Sequence, residues 1–214
     1  MKFRDFRDKV KNLPYFRSNI LAHLESKNKK LEVQLSHWVK KGYVIKLRQG
    51  LYTLSPSESQ RESALLTIAN NIYSPSYISL EYALQFYGFI PERVKLITSV
   101  TPNKTAKFDN ELGCFSYRSI KQTAFCSFTQ QEDKAGNKFL IATKEKALLD
   151  FLYFATKHIR LVNKDIFEDS FRLQNLETVS CDQLLILAES FKQKKLRESS
   201  QRLVEYIQEE WQND

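Results

Sequence analysis

Apolar positions in the first quarter of the chain recur with helical spacing and then switch to alternation. Ser18 is placed to cap a short helix that carries Ile20, Leu21 and Leu24. Glu25-Ser26-Lys27-Asn28 reads as a turn, with Asn28 capping a second helix from Lys29 to Lys41. In that helix Leu31, Leu35 and Trp38 share one stripe at i, i+4, i+7. Lys30, Gln34, His37 and Lys41 form a second stripe about 100° round the axis. Gly42 is the expected stop. Strand-like residues follow, Tyr43 to Leu47 and Leu51 to Leu54, around a turn at Arg48-Gln49-Gly50 where Gly50 supplies a positive φ. Helix, helix, hairpin is the order of a winged helix-turn-helix, with Trp38 and Tyr52 in its core.

Pro56 among Ser55, Ser57 and Ser59 marks a seam, which divides the chain into residues 1–55 and 56–214. Beyond it, a helix from Arg61 to Tyr73 turns Ala64, Leu65, Ile68 and Ile72 to one face, and Ser79 is placed to cap another that ends at Gly88. Strand-like runs lie at Val94–Val100, Cys114–Ile120, Ala124–Thr129 and Lys138–Ala142, the last two flanking a hairpin loop at Asp133-Lys134-Ala135-Gly136-Asn137. Thr143 then caps a helix with Ala147, Leu148, Phe151 and Leu152 inward. From Lys164 onward the pattern is helical, ending in an amphipathic Gln193–Trp211 segment. The expected fold is α+β: an N-terminal winged helix-turn-helix, then a mixed α+β body with a helical C-terminal tail.

Charge changes this picture. Residues 1–54 hold 13 Lys/Arg against 4 Asp/Glu, a net of +9, whereas the remaining 160 residues hold 20 against 21, a net of −1. A basic excess confined to one end is the electrostatic footprint of a polyanion-binding head. In helix-turn-helix geometry the Lys29–Lys41 helix enters the major groove. Lys29, Lys30, Lys40, Lys41, Lys46 and Arg48 are then the candidate phosphate contacts, with Gln49 beside them at the hairpin tip. Gln34 and His37 are the candidates for reading base edges. The structural alternative for each lysine is a solvated helix face.

Other classes recede. The three cysteines, Cys114, Cys126 and Cys181, are widely spaced with no CxxC pair, which argues against a disulfide framework or a cysteine zinc site. The longest apolar stretch, Ala147 to Ala155, already contains Asp150, and the N-terminus has no apolar signal region, so no membrane partner and a cytoplasmic location are expected. His23, His37 and His158 are far apart, and no phosphate loop, GxGxxG or GxSxG occurs. Glu132-Asp133-Lys134, with Asp109 upstream, spells the triplet of metal-dependent nucleases but falls in a polar loop. Glu145 and Asp150, five apart, do not share a helix face. Glu145 reads as a first-turn carboxylate favoured by the helix dipole, Asp150 as a surface or interhelical polar contact, and Lys144 and Lys146 as solvated. No catalytic residue, metal or cofactor is expected; the competing classes are a nucleic-acid-processing enzyme and a plain regulator with an effector-binding body.

Five blocks carry a family likeness. They are Trp38-Val39-Lys40-Lys41-Gly42 with Leu47-Arg48-Gln49-Gly50-Leu51-Tyr52; Tyr77 to Leu84 leading into Tyr87-Gly88-Phe89-Ile90-Pro91-Glu92; Ile97 to Thr101; Gly113 to Tyr117; and Ile141 to Asp150. Over about residues 16 to 155 the chain resembles the AbiEi-type antitoxins. The resemblance implies a transcriptional repressor and antitoxin of a type IV toxin–antitoxin, abortive-infection system. Such a protein binds inverted repeats in its own promoter and counters a nucleotidyltransferase-like toxin without a stable complex. It also implies DNA contacts at Lys40, Lys41, Lys46 and Arg48. Gln49 departs from it, standing where a second basic hairpin residue is expected.

Overall fold

The computed structural model describes residues 1–19, 28–59, 64–157, 159 and 163–211, with backbone alone at 28–32 and 211. The helix expected after Ser18, with Ile20, Leu21 and Leu24, lies outside the described residues, as do His23 and His158. The architecture is mixed α+β and closes on a long C-terminal helix.

The first residues, for which the pattern predicts no element, are helical. Phe3, Phe6 and Val10 recur at i, i+3, i+7 among five charged residues, and they form the inner stripe of helix α1 (Phe3–Val10). Strand β1 (Phe16–Arg17) follows, then helix α2 (Asn28–Lys40) and the antiparallel hairpin β2 (Val44–Arg48) and β3 (Leu51–Leu54). The three strands form one sheet in the order β1-β3-β2, Phe16 opposite Tyr52. α2 ends as its glycine predicts. Tyr43 N donates to Trp38 O at 3.0 Å and Gly42 N to Val39 O at 3.0 Å, with Gly42 at φ +70°. That pair of bonds is a Schellman motif, which satisfies carbonyls the helix leaves open and aims the chain into β2.

Phe6, Val10, Phe16, Leu35, Trp38, Val44 and Leu54 make a small core of their own. Phe6 stacks on Trp38 with centroids 4.8 Å apart, and Phe3 stacks on Tyr43 at 4.7 Å. Since Phe6 is wholly buried in a cluster this small, Phe6→Ala is expected to cost about 3–5 kcal/mol. Urea unfolding of the full chain followed by tryptophan fluorescence measures it; a loss below about 1 kcal/mol would mean that α1 is not part of the folded core.

The body is built on a six-stranded mixed sheet, in the order β6-β7-β5-β4-β9-β8, from β4 (Tyr77–Ile78), β5 (Ile97–Thr101), β6 (Ala106–Asn110), β7 (Gly113–Ser119), β8 (Phe128–Glu132) and β9 (Lys138–Ala142). β5–β7 and β4–β9 pair in parallel and the other neighbours antiparallel. Helix α3 (Leu65–Ile72) lies against β9, β4 and β5. Helix α5 (Lys144–Ala155) is packed on α4 (Leu80–Phe86), α6 (Cys181–Glu189) and α7 (Lys194–Trp211).

The expected β9, its hairpin loop and α5 stand where the pattern put them. Asp133 Oδ1 accepts from Ala135 N and Asn137 N across that loop, at 2.9 and 2.8 Å. Thr143 Oγ1 accepts from Lys146 N at 3.3 Å, the cap that starts α5. Other elements differ. The run Ala124–Thr129 is a 3₁₀ turn (Gln122–Ala124) with β8 beginning only at Phe128, and β4 and β6 were not expected at all. The stretch after Lys164 is a π-turn (Ile166–Ser170) and a 3₁₀ turn (Leu176–Thr178) before α6, not continuous helix. Ser79 sits at the N-cap of α4, but its hydroxyl goes elsewhere; Thr98 Oγ1 accepts from Tyr82 N at 3.1 Å in its place.

The hairpin is shared by two cores. Val44 and Leu54 face the N-terminal cluster, while Ile45, Leu47 and Leu51 belong to the core of the body. Tyr15 OH donates to Asn71 Oδ1 at 2.8 Å, Arg7 pairs with Glu58 at 3.3 Å, and Asn110 Nδ2 donates to Leu47 O at 3.4 Å. The seam at residues 55–59 is therefore bridged by packing from both sides.

Candidate nucleic-acid interface

Helical geometry decides which residues α2 presents. Leu35 and Trp38 are buried, and the face opposite them carries Val33, Ser36, His37 and Lys40, all exposed, at i, i+3, i+4, i+7. That face lies about 180° from the core stripe, whereas Gln34 and Lys41 are at its shoulders. Gln34 is half-buried and its Oε1 accepts from the Met1 ammonium at 3.4 Å, so it is engaged with the N-terminus. The helix thus turns His37 outward as expected, and replaces Gln34 with Val33, which is 71% exposed. An antipodal count from Leu35 and Trp38 would have found it.

Lys40 and Lys41 close α2 and Lys46 projects from β2; all three are exposed. Lys41 Nζ lies 6.0 Å from the Tyr43 ring centroid. At a helix C-terminus two lysines also complement the dipole, which is their purely structural role. Gln49 is exposed in the turn, with Gly50 at φ +78° as expected. The side chains of Lys29 and Lys30 lie outside the described ones.

Arg48 differs from the free tip residue that the pattern predicts. A bulge shifts the register between Lys46 and Arg48, so Arg48 pairs with Leu51, whose side chain faces the body. Such a bulge breaks the two-residue alternation that would have kept Arg48 on the Lys46 face. Arg48 is half-buried and its Nε is covered without a hydrogen-bond partner; burial pushes the Tyr117 phenol well above its ordinary value, and the nearby Arg48 charge opposes that only in part.

In the body the residues that could suggest catalysis do not converge. Asp109 is on β6 and Glu132 on β8, the two opposite edges of the sheet. Five strand spacings separate them, about 24 Å, far beyond what one metal ion can bridge. Among the described residues no group of three or more His, Cys, Asp or Glu side chains is arranged to hold a metal.

Lys146, expected to be solvated, and Asp150, expected as a surface or interhelical polar contact, are both wholly buried and paired with each other. Lys and Asp four apart share one face of α5. Asp150 also accepts from Tyr77 OH at 2.9 Å and Ser79 Oγ at 2.8 Å, and Lys146 Nζ lies 4.5 Å from the Phe191 ring centroid. Burial pushes the Asp150 carboxyl above the usual carboxylate range, against the opposing pull of Lys146 and of the Ser79 and Tyr77 donors. Burial and the Asp150 charge push the Tyr77 phenol well above its ordinary value. Tyr77 and Ser79 are also shut off from solvent, so the cluster joins sheet to helices and is closed to substrate. Glu145 is buried as well, accepting from Ser180 N at 3.1 Å. Lys144 Nζ donates to Thr178 Oγ1 at 2.8 Å.

No helix among the described residues is long and apolar enough to cross a membrane. Comparison with known proteins finds no family model and no curated relative that matches this chain.

Proposed function

We propose that the chain is a sequence-specific DNA-binding regulator, with residues 1–55 as a winged helix-turn-helix and residues 56–214 as its antitoxin and regulatory body. The observation that carries the reading is the outward face of α2. His37 and Lys40 lie on it, and Lys41 and Lys46 are exposed nearby, in the segment that holds a net charge of +9. With α2 in a major groove, Lys40, Lys41 and Lys46 contact phosphates, together with Lys29 and Lys30 from the start of the helix. His37 meets a base edge, and Val33 suits the methyl group of a thymine. Gln49 reaches the backbone from the turn. Arg48 is half-buried and Gln34 holds the N-terminus.

Beyond DNA binding the reading follows the AbiEi-type resemblance. The chain represses its own operon from inverted repeats and counters a nucleotidyltransferase-like toxin without forming a stable complex. It needs no cofactor and works in the cytoplasm. Because one recognition helix gives limited affinity, two copies occupy the two half-sites.

A salt titration of binding to the DNA upstream of its own gene, against a scrambled duplex of equal length, tests this. With about four to eight phosphates neutralised, log K should fall against log salt with a slope of about −4 to −7. The native duplex should bind at least about 10³-fold tighter than the scrambled one. Equal binding to both would reduce the head to a nonspecific basic arm.

A further inference from the structure

A cleft of about 220 Å³ opens on the body between the end of α3, the Ser74-Pro75-Ser76 turn and the β8–β9 hairpin. Its polar lining divides into engaged and uncommitted groups. The Asn70 amide is engaged on both sides: Nδ2 donates to Leu140 O at 3.2 Å and Oδ1 accepts from Leu140 N at 2.7 Å. Asn71 is engaged too, donating to Thr67 O at 2.8 Å and accepting from Tyr15 OH. Among the described residues nothing engages the exposed Ser74 hydroxyl, Gln130 amide or Lys138 ammonium. Among them Lys138 makes no ion pair even with Glu132, its cross-strand neighbour, whose Oε1 lies near Gly136 instead.

The apolar side of the cleft is aromatic. Phe125 and Phe128 line it, both half-buried, their centroids 5.2 Å apart. Phe128 also stacks on the buried Tyr77 at 4.7 Å. Two partly open rings favour a flat ring in offset or edge contact, and the Lys138 cation beside them favours an acidic substituent. A cavity of about 150 Å³ holds one benzene, so a cleft of about 220 Å³ has room for a single ring with a carboxylate.

We propose that this cleft binds a single-ring aromatic acid, its ring against Phe125 and Phe128 and its carboxylate on Lys138, and that occupancy is transmitted by α3 to the N-terminal segment. α3 is the element that touches both places. Asn71 lines the cleft and accepts from Tyr15, and Ala69 O accepts from Tyr117 OH at 2.6 Å, the phenol beside Arg48. On the DNA-binding reading above such a ligand is an effector, and only that name rests on it; the site itself does not.

The test needs no DNA, so its failure and the failure of the DNA-binding reading are separate results. Amide chemical shifts of the full chain are followed against benzoate, cyclohexanecarboxylate, benzamide and adenosine monophosphate. Benzoate should give saturable shifts at Gln130, Lys138 and Asn71 and at the amides of Phe16 to Ser18. Lys138→Gln should weaken it by about tenfold or more, as loss of a charge-assisted bond requires, and Lys138→Arg should retain it. Tyr15→Phe should keep benzoate binding and lose the shifts at Phe16 to Ser18. No saturable response, an equal response to cyclohexanecarboxylate or benzamide, tighter binding of the nucleotide, or indifference to Lys138→Gln would each overturn the site. Persistence of the Phe16–Ser18 shifts in Tyr15→Phe would overturn the relay.

Discussion

Replacing Lys146 with methionine while Asp150 stays is expected to cost about 3–5 kcal/mol, because it leaves a buried carboxylate without its cation. At the size of this chain that is a fall in Tm of about 6–20 °C. Neither Tyr77 nor Ser79 can replace the ammonium, since each supplies a neutral hydroxyl. The pH dependence carries the diagnosis. In Lys146→Met the folded carboxyl is pushed further above its unfolded value, so the folded state holds the proton more tightly than the unfolded chain does. Stability of this variant relative to the parent should then rise as pH falls from neutrality through the raised folded value, and level off near the unfolded carboxylate value. Asp150→Ala strands the lysine instead, and it removes the carboxyl whose titration sets that pH dependence. The double change Lys146→Met with Asp150→Leu should recover most of the loss, less roughly 1 kcal/mol for each of the two hydroxyls deprived of an acceptor. Urea unfolding at several pH values measures all four proteins. Equal losses in the two single variants at every pH would show that packing volume, not charge, is what the pair supplies.

That cluster marks where sequence reading stops. Lys146 and Asp150 are visibly i, i+4, but Lys before Asp is the weaker order for a surface helix pair, and charged residues are rarely buried. What buries them comes from afar: Tyr77 and Ser79 lie about 70 residues upstream and Phe191 about 40 downstream in the chain, at distances no local pattern encodes. By contrast β9 and the start of α5 were legible, because alternation, a Thr cap and a Gly-containing loop are local signals. α1 was legible in principle, since Phe3, Phe6 and Val10 are helically spaced, yet five charges among them mask the apolar stripe. Arg48 departs from the expected free tip for another reason. A bulge is an agreement between two strands, and the strand that carries it shows only ordinary alternation. For α2 the fault lay in the choice of face: the stripe through Gln34 is a shoulder, and the N-terminus settles on it.

The same correction sharpens the expected effect on DNA binding. Lys40→Ala, Lys41→Ala and Lys46→Ala together should lower affinity for the upstream duplex by about 10²-fold at 0.15 M salt, with the salt slope shallower by about 2.7. At 0.05 M the gap should widen to over 10³-fold, since each lost phosphate contact releases one counterion fewer. All three side chains are exposed, so the variant should stay folded, losing no more than about 1–2 kcal/mol from the dipole contacts of Lys40 and Lys41. Arg48→Ala belongs to a different class: the side chain is half-buried with its Nε covered, so that change should alter the slope by less than one full contact. His37→Ala should leave the slope almost untouched and narrow the preference for native over scrambled duplex by about 1–3 kcal/mol. A triple lysine variant that binds with unchanged slope would move the phosphate-contacting surface away from α2 and the hairpin, to the exposed cations of α1, Arg4 and Lys9.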